Sequence, residues 1–173
     1  ESVELGTGIQ FIPMSAFYGT KLTCVTIPEQ VMEIGAAAFK NTKISELKIA
    51  GKDVSIYDEA FQNCPIGDLD LSNVVYVSDQ TFEGSYETIL QLPDTVTQVS
   101  YRTFAYSPQL VCAVIPETMT NNGNWGGFSL STAFEGNTNM NHILYKGTEE
   151  QWAKLIEDIP DWDDAYTVHC NAT

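Results

Sequence analysis

The chain has 173 residues and a mass of 19.1 kDa, with hydrophobic residues at 43% and charged residues at 18%; that balance supplies a core for one domain or a short repeat array and excludes a disordered polymer. Eight Lys plus Arg stand against 23 Asp plus Glu, a net charge of −15, so nucleic acid and anionic lipid surfaces are poor partners. No run reaches the ~18 apolar residues of a membrane span, and Glu1-Ser2-Val3-Glu4 lacks the basic start and apolar stretch of a secretion signal, which leaves a cleaved signal or an excised segment as the expectation.

In chain order, one apolar pattern recurs. A short first unit reads Val3, Leu5, Ile9, Ile12, Phe17. The second reads Leu22, Val25, Ile27, Val31, Ile34, Ala38, Phe39, and the third Ile44, Leu47, Ile49, Val54, Ile56, Ala60, Phe61. The fourth, one residue shorter, reads Ile66, Leu69, Leu71, Val75, Val77, Phe82, with Ser72 where others carry Pro. The fifth has Glu87 in a column of Leu and Ile, so its strand is expected to start differently, and continues Leu90, Leu92, Val96, Val99, Phe104. The sixth reads Leu110, Ala113, Ile115, Met119 and reaches Phe134 only after an insertion within 121–129. A last unit reads Met140, Ile143, Tyr145 and then changes character. The Phe residues are 22, 22, 21, 22 and 30 positions apart. Alternation at Val25-Thr26-Ile27 predicts a strand with one face inward, ended by a turn at Pro28, Pro93 and Pro116. Val31 and Ile34, spaced by three, suit a bend or short extended piece better than a second alternating strand, and Ala-Phe suits one short helical turn. Each unit returns the chain to its start, so neighbours bury each other's apolar columns in a solenoid. At ~4.8 Å per step the rod is on the order of 30 Å long.

Thr148 with Gln151 forms the pattern of a capping box, and Glu149 and Glu150 suit the positive end of a helix. Trp152, Leu155, Ile156 and Ile159 follow at helical spacing before Pro160. The expectation is a helix over 149–159 sealing the last repeat, then a closing strand over 166–170. The amino-terminal end shows no comparable cap.

The segment Leu22-x-x-Val25-x-Ile27-Pro28-x-x-Val31-x-x-Ile34-Gly35-x-x-Ala38-Phe39 resembles the BspA-type leucine-rich repeat over residues 3 to 147, and Tyr145–Trp152 resembles the closing segment of such proteins. The resemblance implies an α/β repeat solenoid: a short, right-handed leucine-rich-repeat coil with a parallel sheet of one strand per repeat, short helical turns and a C-terminal capping helix. Residues 1–147 then form the solenoid and 148–173 the cap. It further implies an extracellular or cell-surface protein, often part of a longer chain, acting in adhesion or macromolecular binding. Cys64, three residues past its Phe, falls where the family often has a small buried cysteine, and is expected to be a free thiol.

Sites of chemistry are sparse. Asp158, Asp161, Asp163 and Asp164 surround Trp162 without the regular order of a calcium loop, and Asp68 and Asp70 beside Glu46 read as a solvated strand face. His142 falls near Cys112 by column, yet no elbow or oxyanion motif accompanies them. Zinc held by Cys112, His142, His169 and Cys170 lacks ligand spacing, and the glycines of 123–127 lack the Lys of a phosphate loop. No cofactor is expected. Cys24 and Cys112, four units apart, cannot reach each other; a Cys112–Cys170 bridge stays conceivable. Outward strand positions are polar early (Glu4, Thr26, Glu46, Lys48, Asp68, Asp70) and more apolar later (Ile89, Gln91, Cys112, Val114, His142, Leu144). Exposed apolar patches mark interaction sites, unless Trp125 and Phe128 of the insertion fold over this one. The candidate binding residues are therefore Ile89, Gln91, Cys112, Val114, Trp125, Phe128, His142 and Leu144. Asn171-Ala172-Thr173 is a glycosylation sequon. A non-catalytic module binding a host or neighbouring surface protein or a glycan is the first reading, and a ligand-free spacer or end-cap segment of a larger surface protein the second.

Overall fold

The computed structural model describes residues 1–85, 87–120, 130–157, 159 and 166–172. Its strands are β1 (Phe11–Ile12), β2 (Cys24–Ile27), β3 (Glu33–Ile34), β4 (Glu46–Ile49), β5 (Val54–Ile56), β6 (Val74–Val77), β7 (Ile89–Gln91), β8 (Cys112–Ile115), β9 (His142–Tyr145) and β10 (Thr167–His169), with helices α1 (Leu130–Ala133) and α2 (Glu149–Ile156). All strand pairs are parallel. They form a coil of about six turns in which equivalent residues stack, as the repeat predicts.

The Phe file is the spine of that coil. Phe17, Phe39, Phe61, Phe82, Phe104 and Phe134 stack with successive centroids 5.1, 5.1, 5.6, 5.8 and 6.0 Å apart, the first four pairs within 7° of parallel and the last at 19°. Those separations exceed ring contact distance, so the rings are offset, the arrangement their quadrupoles favour. From Phe39 onward every ring is fully buried.

The turn that presents the first five rings is not the helical one expected from Ala-Phe; before Phe134 the short helix α1 does stand there. Two residues before the ring, Ser15, Ala37, Glu59, Gln80 and Arg102 have φ between 52° and 57°; two residues after it, Gly19, Asn41, Asn63, Gly84, Tyr106 and Gly136 are left-handed as well. Alternating handedness turns the peptide groups of alternate residues in opposite directions. Ser15, Phe17 and Gly19 thus donate their N–H groups to Ala36, Ala38 and Lys40 of the next turn, at 2.9, 2.7 and 2.9 Å. Ala16, Tyr18 and Thr20 close back on Pro13, Ser15 and Phe17. The same alternation recurs around Phe39, Phe61 and Phe82. Gly or Asn occupies five of the six positions after the ring because both enter the left-handed region cheaply. At the sixth, Tyr106 is held by its hydroxyl donating to Glu135 at 2.9 Å, while its ring lies over Gly136, where a Cβ would sit 2.5 Å from it.

Polar columns flank the ring file. Three residues past each Phe stand Thr20, Thr42, Cys64, Ser85, Ser107 and Asn137. Cys64 Sγ donates to the Phe39 carbonyl at 3.1 Å, and Asn137 donates to that of Phe104 at 2.9 Å while accepting from the Ser107 N–H at 2.7 Å. Cys64 is buried and free, as expected. Where Ala gives way to Thr before the ring, Thr81 and Thr103 donate to the Ser78 and Ser100 carbonyls, at 2.9 and 2.8 Å.

The expectation of one strand per repeat requires correction. β1, β3, β5 and β6 form a second parallel sheet beyond the proline turn, where a bend or short extended piece was expected: the pieces are extended and short, and they pair. Ile12, Ile34, Ile56 and Val77 are its buried column. In the fourth turn the register shifts between Val54 and Ser55, so Val74 rather than Val75 points inward and Val75 is pushed to the surface. The first sheet is also interrupted, as β2–β4 and β7–β8–β9–β10, because residues 66–71 form no strand.

α2 packs on the last turn. Gln151 N–H donates to Thr148 Oγ1 at 3.2 Å and Thr148 N–H to Gln151 Oε1 at 2.7 Å, completing the capping box. Trp152 packs on Tyr145 with centroids 5.2 Å apart, and Leu155 and Ile159 are buried beside it. The helix ends at Ile156, shorter than the 149–159 expected, and β10 adds to β9 as the closing strand. Among the described residues no helix is long and apolar enough to cross a membrane.

On the surface, Arg102 donates two hydrogen bonds to Glu135, both 2.8 Å, and its guanidinium sits 4.9 Å from the Tyr101 ring centroid. The Arg102 bonds, then the Tyr106 hydroxyl, hold the Glu135 carboxyl below the usual glutamate range. A depressed carboxyl stabilises the fold above its unfolded pKa and ceases to as pH falls through its folded value. Acid titration of stability should therefore be shallower in Arg102→Ala, the two proteins converging in strongly acidic solution, as followed by urea midpoints. Phe61→Ala removes a ring stacked on both sides and should cost about 3–5 kcal/mol of unfolding free energy in urea denaturation.

Candidate binding surface

The later outward positions do share one face. Parallel register places Ile89 opposite Cys112 and Cys112 opposite His142, with Gln91, Val114 and Leu144 in the next row. Ile89 is 51% exposed, Gln91 and His142 are exposed, and Cys112, Val114 and Leu144 are half-buried. Trp125 and Phe128 lie outside the described residues.

The face meets a cleft of about 510 Å³ lined by Asp68, Asp70, Glu87, Ile89, Gln91 and Val114 among others, with Lys146 at its margin. Its origin is local. Among the described residues no backbone hydrogen bond joins 66–71 to β4 or β7. The buried Glu87 carboxylate takes the place of that ladder, accepting the Leu69 N–H at 2.7 Å and the Thr88 N–H at 3.0 Å. The charge in the Leu/Ile column is thus satisfied by peptide donors, and the sheet stays open beside it. Across the gap Asp68 and Asp70 point to solvent; the Ser72 N–H, 2.9 Å from Asp70 Oδ1, holds that carboxyl below its ordinary range. The cleft therefore offers carboxylates on one wall and an apolar step at Ile89, Leu92 and Pro93 on the other.

Three of the eight candidate residues, Ile89, Gln91 and Val114, line this cleft. Cys112, His142 and Leu144 continue the face toward β10, where His142 and His169 come within 3.3 Å. All four cysteines are free, so Cys112 and Cys170 are not bridged. Burial pushes the Cys64, Cys112 and Cys170 thiols up, away from the thiolate a nucleophile needs. Among the described residues no three of His, Cys, Asp and Glu converge as metal ligands.

A second exposed apolar group escaped sequence reasoning. Phe11, Met14, Met32, Tyr57 and Tyr76 are exposed on or beside β1, β3, β5 and β6, with Met14 at 73%. Treating 31–34 and its equivalents as a bend or short extended piece, not an alternating strand, left their outward positions untracked.

Six copies of a BspA type leucine rich repeat region match the chain over residues 10–141. The chain belongs to the BspA-type leucine-rich repeat family. A comparison with curated proteins finds no match. Among solved structures this repeat chain is similar to a leucine rich cell surface protein from Faecalibacterium prausnitzii, with 21% identity, TM-score 0.53 and coverage of 85% of this chain and 54% of that one. It is also similar to the pneumococcal vaccine antigen PcpA, with 17% identity, TM-score 0.64 and coverage of 88% and 38%. At these identities the likeness carries the leucine-rich repeat fold alone, and the chain spans about half of the first structure and less of the second.

Glu87→Ala strands the buried Leu69 N–H and should lower stability by about 1–3 kcal/mol, read from the urea midpoint.

Proposed function

We propose that this chain is a non-catalytic binding module of a secreted or cell-surface protein, its solenoid over residues 1–147 and its cap over 148–173. The observation that carries the reading is the cleft beside Glu87, where half-exposed Ile89 and the carboxylates of Asp68 and Asp70 face one opening. Apolar area beside fixed charge is what a partner's side chains need for both affinity and orientation. Its partner is a protein or glycan that tolerates an acidic surface; the charge of −15 disfavours polyanions. The raised thiols and the lack of a Cys112–His142 hydrogen bond among the described residues support a non-catalytic role. The cell-surface description of the Faecalibacterium structure supports the location.

A second reading, a spacer within a longer surface protein, is favoured by the unbroken Phe file and by the partial coverage of the similar structures. Binding to a glycan array and to immobilised extracellular-matrix glycoproteins separates the two. The binding reading expects retention on at least one surface, weakened about tenfold or more in Ile89→Arg with an unchanged melting temperature. Retention on none, or equal retention by the variant, leaves the spacer.

A further inference from the structure

We propose that His142 and His169 form a chelating seat for a divalent transition-metal ion of the zinc, nickel and copper class. β9 and β10 are parallel neighbours with Thr167 opposite His142 and His169 opposite Leu144. Side-chain alternation sends all four outward, so the two imidazoles meet diagonally across the strands. Nδ1 of His142 lies 3.3 Å from Nε2 of His169, with ring centroids 5.4 Å apart and planes tilted by 35°. Two nitrogens held by one tetrahedral ion at about 2.0–2.1 Å are themselves about 3.3 Å apart by simple geometry. The 3.3 Å separation of the two ring nitrogens matches the bite of a chelating pair.

The surroundings select the ion. Imidazole nitrogen suits zinc, nickel and copper, whereas calcium and magnesium demand oxygen. A net charge of −15 raises the cation concentration near the surface. Among the described residues neither ring makes another hydrogen bond, so each can present a lone pair inward. The remaining coordination positions fall to water, since no third His, Cys, Asp or Glu among the described residues converges on the pair. Cys112, opposite His142 on β8, stays outside the set. A bound ion ties β10, which among the described residues pairs with β9 alone, to the rest of the coil.

The test titrates the native chain with Zn²⁺ or Ni²⁺ alone, in a non-coordinating buffer with reductant, by calorimetry. One ion per chain is expected, with affinity falling about tenfold or more in His142→Ala and likewise in His169→Ala. Cys112→Ser should leave it unchanged. Amide exchange at Thr167–His169 should slow with ion in the native chain and in neither histidine variant. Both histidines are exposed, and metal-free melting temperatures verify that the variants fold. No one-to-one binding, affinity unchanged in either histidine variant, or loss in Cys112→Ser overturns the proposal.

Discussion

The structure depends on the alternating handedness of the turn around each Phe. Left-handed residues two positions before and two after the ring send three N–H groups into the next turn, while the residues between them close the turn on itself. A left-handed L-residue costs roughly 1–2 kcal/mol, and each of the first five turns carries two positions of this kind. Three inter-turn hydrogen bonds and a ring buried between two others offset that strain. Gly or Asn after the ring lowers it further in five turns out of six. The ring file and the ladder are therefore one device: the backbone geometry that passes hydrogen bonds from turn to turn also holds the rings in register.

Much of this was legible from residue spacing. The Phe intervals, the inward columns of Val, Leu and Ile, and the capping box at Thr148 each follow from a period or a local pairing that a linear chain displays. What was hidden depends on relations between turns. Ser15 and Glu59 carry no signature of left-handed backbone, since the strain is imposed by the ladder and not by their own preferences. Val74 and Val75 are chemically equivalent, and only pairing with β5 decides which is buried. Glu87 looked like a defect in an apolar column until the peptide donors of Leu69 and Thr88 appeared around its carboxylate. His142 and His169, 27 positions apart, meet because the segment after α2 returns as a strand.

The candidate surface arises where the repeat departs from its own rule. A turn shortened by one residue and a carboxylate in place of Leu together interrupt the first sheet, and the opening between β4 and β7 is the result. A regular solenoid offers a smooth face with no cleft. Here the core file continues beneath the interruption, with Phe61 and Phe82 still stacked at 5.6 Å. The ring file thus runs on unbroken beneath an opening in the outer layer.

The direction of the Phe-turn ladder gives the molecule a chemical polarity. Each turn hands its donors forward, so carbonyl oxygens such as those of Met14, Ala16 and Tyr18 look back, away from the second turn. Two such faces brought head to head would oppose acceptor to acceptor and repel. At the Phe turns the coil thus has a direction, donors facing forward and acceptors back, whereas beyond the proline turn the second turn donates backward, Met32 N–H to the Gln10 carbonyl and Gly35 N–H to that of Ile12.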